Sequence, residues 1–442
     1  MKTLTFVIFG GTGDLARKKL GGAISLFAKK NIDLQIQLIG VGRSDYNDKT
    51  YKKLLESSEK KFNFPKNILV RYYRGDVSEP NAIINLEKFM IKDEKNCVGR
   101  IYYLATSSAL FGVITREIAK IKESGFTKIM LEKPFGHDGK SSEELNKQLY
   151  KNFKEEQIYR VDHYLAKETV NNILLMRFSN PLFENVWNSN FIDKIKIRVA
   201  ENFGVEKRLA YYNNTGAIKD MIQNHLFQIL LFILMEPPKA VDSKYILKEK
   251  YSSAKKIKFE GKLTLGRYEG YDKEIKDANL PDIETETYAK VFLTSKQKRW
   301  KGIDIILETG KNLDEKEAHI TLEYKKEPCI LYCSFDSVPN KLIFRIQPTQ
   351  NVELTMNTNE PGDNPNLKPV RMTFYHEFKF SSNTRNSYEM IISECYKGEK
   401  ELFMCENVLR ESWRITDKML RIKNKSKVIV YKKGSKGPKT YK

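Results

Sequence analysis

The chain opens on a short apolar, β-branched run, Thr3 to Phe9 (TLTFVIF), that stops at glycines. An amphipathic stretch, Leu15 to Lys30, separates it from a second apolar run, Gln35 to Val41. Period two, then a helical period, then period two again predicts a βαβ unit. Further strand-like runs at Leu69 to Arg74, Arg100 to Ala105 and Lys128 to Glu132 alternate with helical patterns at Glu79 to Met90 and Leu110 to Glu123. This alternation predicts a Rossmann-like, doubly wound parallel sheet over residues 1–162.

Beyond residue 163 the pattern changes. A helix is expected over Lys167 to Phe178, an alternating strand over Ile192 to Glu201, and a long apolar helix from about Thr215 to Met235. Strand-like segments then follow without obvious crossover helices: Val291 to Leu293, Ile303 to Leu307, His319 to Tyr324, Ile330 to Ser334 and Lys341 to Gln347. Such a series favours an antiparallel sheet. Helical patterns return at Asn386 to Tyr396 and Cys405 to Arg421, and the lysine-rich end, Lys423 to Lys442, reads as poorly ordered. The expected fold class is therefore α/β plus α+β: a Rossmann-like domain at 1–162 and a larger, mainly antiparallel domain at 163–442.

A length of 442 residues suits two cores. No apolar run reaches the length of about 18 residues that a membrane helix needs, and no signal-peptide pattern opens the chain. A soluble, cytoplasmic protein without membrane partners is expected. Five scattered cysteines, without CxxC pairing or metal-ligand spacing, read as reduced, buried thiols, and no metal is expected. The net charge of +21 invites a nucleic-acid reading. The basic residues are spread out, however, so no nucleic-acid partner is expected, and anionic small substrates account for part of the charge.

Gly10, Gly11 and Gly13 stand where the first strand must turn into a helix, leaving backbone N–H groups for a pyrophosphate, with the Thr12 hydroxyl beside them. At the end of the second strand, where an NAD enzyme commonly has an acid, the chain reads GVGRSDY, and Arg43 favours NADP over NAD. Asp76, ending the third strand, is a candidate ribose or adenine contact. Oxidising an alcohol carbon needs a base for the hydroxyl proton, and His225 stands in an apolar helix made polar at one end by Asp220, Gln223 and Asn224. A satisfied core histidine is the alternative. Asp162 is the candidate orienting carboxylate within RVDHYLAKE, Arg160 to Glu168, a cluster able to hold a phosphate. Glu201 shares a strand face with Ile195, Ile197 and Val199, and Lys133 in EKPFG is expected at the carboxyl edge of the parallel sheet.

With these motifs in view, the chain resembles the glucose-6-phosphate dehydrogenase family almost end to end. GGTGDLARKKL is similar to the coenzyme fingerprint, EKPFG to the bridging-lysine motif, RVDHYLAKE to the signature usually written RIDHYLGKE, and AIKDMIQNH to the base-bearing helix. The resemblance implies oxidation of glucose 6-phosphate at C1 to a 6-phosphoglucono-lactone, the first step of the oxidative pentose phosphate pathway, with hydride passing to NADP and NAD as the weaker coenzyme. It makes His225 the general base and Asp162 its orienting partner. It assigns the 6-phosphate to His163, Tyr164 and Lys167, and further substrate contacts to Lys133, Glu201, Asp220, Lys311 and Lys316. Gly10, Thr12, Gly13, Asp14, Leu15, Arg43, Asp76 and Lys133 fall to the coenzyme, and a homodimer or dimer of dimers is implied.

Three departures stand out. Ala166 replaces the signature glycine, which is harmless only at negative φ. His137 stands where the family often has arginine. Glu317 stands where animal members carry a lysine of a second, structural NADP site, so that site is expected to be absent. A sugar dehydrogenase of the glucose-fructose oxidoreductase type is the enzymatic alternative, and a basic NADP-binding regulator without turnover the non-enzymatic one.

Overall fold

A computed structural model describes residues 1–57, 61–77, 79, 81–122, 124–240, 242–326, 337–361, 367–375 and 386–439. The chain divides into two compact units.

The first unit comprises Met1–Ala166, Val241–Leu247 and Arg385–Arg410. Its strands are β1 (Lys2–Phe9), β2 (Leu34–Gly42), β3 (Ile68–Arg74), β4 (Cys97–Leu104), β5 (Phe126–Leu131), β6 (Ile158–Val161) and the two-residue β15 (Phe403–Met404). They form one sheet in the order β15-β6-β5-β4-β1-β2-β3, parallel throughout except for β15 against β6. Every residue of β1 after Lys2 is buried, as a strand covered on both faces demands. Because β1 lies between β2 and β4, the chain reverses direction across the sheet at its carboxyl end, where such sheets open a ligand crevice.

Helices Asp48–Glu56 and Gly139–Tyr150 escape the sequence reading because few residues of each are buried, and several of those are polar. Their starts are nonetheless well capped. The Asn47 side chain accepts from Thr50 N at 3.0 Å, and Asp138 from Ser141 N at 2.7 Å. The expected helix at the late segment spans Ser387–Lys397 and packs on helix Gly21–Lys30, through a Phe27–Tyr396 edge contact of 5.5 Å and a Lys30–Glu389 ion pair of 3.0 Å.

The second unit comprises Lys167–Ala240, Lys248–Thr384 and Glu411–Lys442. Its sheet joins β7 (Ile192–Ala200), β8 (Ile257–Tyr268), β9 (Tyr288–Ser295), β10 (Asp304–Gly310), β11 (Glu317–Tyr324), β12 (Lys341–Gln347), β13 (Asn351–Asn359), β14 (Leu367–Tyr375) and β16 (Val428–Tyr431). The order is β14-β13-β12-β11-β7-β10-β9-β8-β16, antiparallel except for β10 on β7 and β16 on β8. β8 was illegible because its alternation breaks at a register shift after Phe259, beside Gly261. The expected strand at Ile330 to Ser334 lies outside the described residues.

Two expectations are corrected. The lysine-rich end is ordered through residue 439: β16 pairs with β8 and Tyr431 is 3% exposed, because the apolar VIVY within the lysines supplies a strand. Among the cysteines, Cys97 and Cys405 are half-buried and only Cys395 is fully buried, while Cys329 and Cys333 lie outside the described residues.

Candidate functional site

In the first unit, a cleft of about 600 Å³ opens at the carboxyl ends of β1 to β4. It is lined by Gly10, Thr12 and Gly13 from the first turn, Arg43 and Ser44 after β2, and Asp76 after β3. Gly10 has φ of +80°, and a Cβ there would come 2.6 Å from Ala105 O, so only glycine serves. The turn is pinned by Gly10 N and Gly11 N, both donating to Val41 O at 3.0 Å. This cradle, followed by a helix, fits a dinucleotide pyrophosphate. Asp14 and Leu15 sit on the first helical turn, outside the cleft's lining; Asp14 is exposed and pairs with Lys18 at 3.4 Å.

Arg43 is 84% exposed with Asp76 at 3.8 Å, and Arg74, at the end of β3, holds Asp45 at 3.0 Å. Each acid near the rim is therefore matched by an arginine. Arg74 was missed by the sequence reading; it lies beside Gly42 in the β2–β3 register, one strand over from the Arg43 loop. The Tyr72 hydroxyl donates to Ser44 O at 3.0 Å and steadies the Arg43 loop.

Lys133 follows β5, beside Glu132. Burial of its carboxyl pushes Glu132 up to about 6, although hydrogen bonding to Tyr103 and the nearby Lys133 cation pull the other way. Asp162, His163 and Tyr164 follow β6 directly. Asp162 is 2% exposed and its Oδ1 accepts from Tyr164 N at 3.0 Å, a bond that tightens the turn. Ala166 lies outside the left-handed region, so its Cβ is accommodated.

In the second unit, Lys167 caps helix Glu168–Ser179, its carbonyl accepting from Val170 N at 2.9 Å. Glu201 follows β7 and forms an ion pair with Lys311, which follows β10. The Lys311 ammonium lies 5.1 Å from the centre of the Tyr212 ring and 5.5 Å from Phe203, and Lys316 lies 5.7 Å from Phe203. Burial, and then the Asp220 carboxylate, raise the Tyr212 phenol, so Asp220 belongs to the same neighbourhood.

His225 stands not on an ordinary α-helix but on a π-helical segment, Ile218–Leu226, between helices Leu209–Ala217 and Phe227–Leu234. Bonding from i to i+5 brings residues five apart onto one face, so Asp220 and His225 align, which an α-helical wheel does not show. Both are buried, at 4% and 1% exposure. The segment and the helix that follows it are held at their outer ends. Glu286 accepts from Ile218 N at 3.0 Å and pairs with Lys423, and Gly216, at φ +66°, leaves room for that carboxylate. At the far end Arg177, fully buried, donates to Phe232 O, Ile233 O and Met235 O at 2.9 to 3.1 Å. Neither Glu286 nor Arg177 carried a local signal, since each acts across 50 residues or more.

Comparison with known proteins is consistent along the whole length. The family model "Glucose-6-phosphate dehydrogenase, NAD binding domain" matches residues 7–172, and "Glucose-6-phosphate dehydrogenase, C-terminal domain" matches 174–442. A glucose-6-phosphate 1-dehydrogenase of Borreliella burgdorferi is 35% identical over 98% of this chain and 95% of its own. Its counterpart in Bacillus subtilis is 32% identical over 98% and 94%. A solved glucose-6-phosphate dehydrogenase in complex with glucose 6-phosphate superposes with a TM-score of 0.90 at 26% identity, covering 99% of this chain and 96% of that one. A levoglucosan dehydrogenase shares the fold alone, at a TM-score of 0.53 and 11% identity. On these matches and on the motifs they span, the chain belongs to the glucose-6-phosphate dehydrogenase family.

Proposed function

We propose that the protein oxidises glucose 6-phosphate at C1 to 6-phosphoglucono-1,5-lactone, with NADP as the preferred coenzyme. The observation that carries this reading is the full-length family match, with the chemistry-bearing residues of each motif present. A nicotinamide coenzyme, which the cleft at Gly10, Thr12, Gly13 and Arg43 would hold, would supply the hydride-accepting chemistry. His225 takes the C1 hydroxyl proton, and Asp162 is assigned to orient it and balance its charge. Asp220 stands one π-turn from His225, a placement that supports a substrate contact there. His163, Tyr164 and Lys167 are assigned to the 6-phosphate, with donors and a cation to share its oxygens. Lys133, Glu201, Lys311 and Lys316 are assigned to the remaining sugar contacts, Lys133 also to the coenzyme.

Preference for NADP rests on Arg43 at the cleft rim, where the acids are already matched by arginines. We further propose a homodimer or dimer of dimers. Among the described residues β14 is an edge strand, and it exposes Met372 (58%) and Phe374 (48%), a surface suited to a second copy. Among the described residues no helix is long and apolar enough to cross a membrane.

Replacing the base tests the reading. His225→Asn should lower kcat by about a thousandfold or more while glucose 6-phosphate still binds in a calorimeter. Turnover within a few-fold of the parent would remove His225 from the mechanism.

A further inference from the structure

The first unit holds a chain of aromatic and acidic groups of which the mechanism above uses only the last, His163. It runs from Tyr103 on β4 through Glu132 after β5 and Tyr388 on helix Ser387–Lys397 to His163 after β6. The Tyr103 hydroxyl, on a residue 2% exposed, donates to Glu132 Oε1 at 2.5 Å. The Tyr388 phenol lies within the field of the same carboxylate. The Tyr388 ring stacks on the His163 imidazole, centroids 6.4 Å apart and planes 11° from parallel, while Tyr164 meets the imidazole at a tilt, 5.0 Å away.

Burial and then the carboxylates of Glu132 and Asp162 keep the Tyr388 phenol protonated. Burial pushes Tyr103 up as well, so its hydroxyl stays protonated and donates to Glu132, whose own carboxyl burial pushes up to about 6. Glu132 also faces Lys133 from its own loop and Asp162 from the turn after β6. The His163 imidazole, just after a short strand, is thus backed by the Tyr388 ring.

We propose that Tyr388 is a positioning residue for phosphate recognition, its stacked ring holding the His163 ring in the orientation that meets the 6-phosphate, with the Glu132 carboxylate near its phenol. The inference rests on the reading of His163 as a phosphate ligand. It gives the helix of Ser387–Lys397, far along the sequence from RVDHYLAKE, a part in substrate discrimination.

Initial rates on the full-length enzyme test it, with glucose 6-phosphate and free glucose as alternative substrates. Tyr388→Leu should raise KM for glucose 6-phosphate about tenfold, and Tyr388→Phe about threefold, while KM for glucose and for NADP stays within about twofold. Adding Tyr388→Leu to His163→Ala should cost no further discrimination, because both act through one ring. Glu132→Gln should remove any step near pH 6 from the pH profile of 1/KM for glucose 6-phosphate. Should the leucine variant not fold, the phenylalanine variant decides, since it keeps the ring.

Equal effects on both sugars, or losses that add to that of His163→Ala, would overturn the proposal. If His163→Ala itself spares discrimination, the phosphate reading of His163 falls and takes the proposal with it. If His163→Ala discriminates but both Tyr388 variants behave like the parent, only the positioning role falls.

Discussion

Arg43 follows β2 and pairs with Asp76, and a surface pair at 3.8 Å is worth little. A 2′-phosphate, doubly charged and able to accept two parallel bonds, competes easily with that carboxylate. Arg43→Ala should therefore lower kcat/KM for NADP about 10- to 100-fold and leave that for NAD within about threefold, as loss of one charge-assisted contact requires. Equal losses for both coenzymes would assign Arg43 to something other than the 2′-phosphate. Lys167→Ala should weaken glucose 6-phosphate far more than free glucose, and equal weakening would contradict its phosphate role. Single residues were legible where type and position both constrain chemistry: Gly10, which only glycine can occupy, and Arg43, which replaces an expected acid. Arg74, Glu132 and Tyr388 were not, because each acquires its meaning from a neighbour on another strand or helix.

Strands with a continuous β-branched run, such as β1, or clean alternation, such as β11 and β12, were readable because burial on one or both faces dictates the pattern. The segment bearing His225 was readable as helical but not as π-helical. Its start is held by Glu286, and the end of the helix that follows it by Arg177, both from distant parts of the sequence. Arg177 shows how firmly. Its guanidinium satisfies three carbonyls at the end of helix Phe227–Leu234, with burial lowering it to about 10, and the Trp187 and Trp300 indoles donate to Ile233 O and Leu234 O at 2.9 Å. Arg177→Met keeps the volume but strips those donors. It should destabilise the second unit by about 3 kcal/mol, the cost of leaving buried carbonyls unpaired, and lower Tm by several degrees. An unchanged Tm would mean that water or the tryptophans take over.

At the scale of the whole chain, the division into a parallel sheet and a mainly antiparallel sheet was legible because the hydrophobic period changes between them. The later strands β13 and β14 were not, since their exposed faces mix apolar and polar residues. Under the proposed function, part of the strongly basic composition serves anionic ligands: a phosphorylated sugar and a dinucleotide coenzyme. That claim is tested most directly by absorbance at about 340 nm on the purified protein, with glucose 6-phosphate or glucose, and with NADP or NAD. Reduction with glucose 6-phosphate, faster with NADP and near background with glucose, is the expected result. Equal rates on the two sugars, or no reduction in any cuvette, would contradict it.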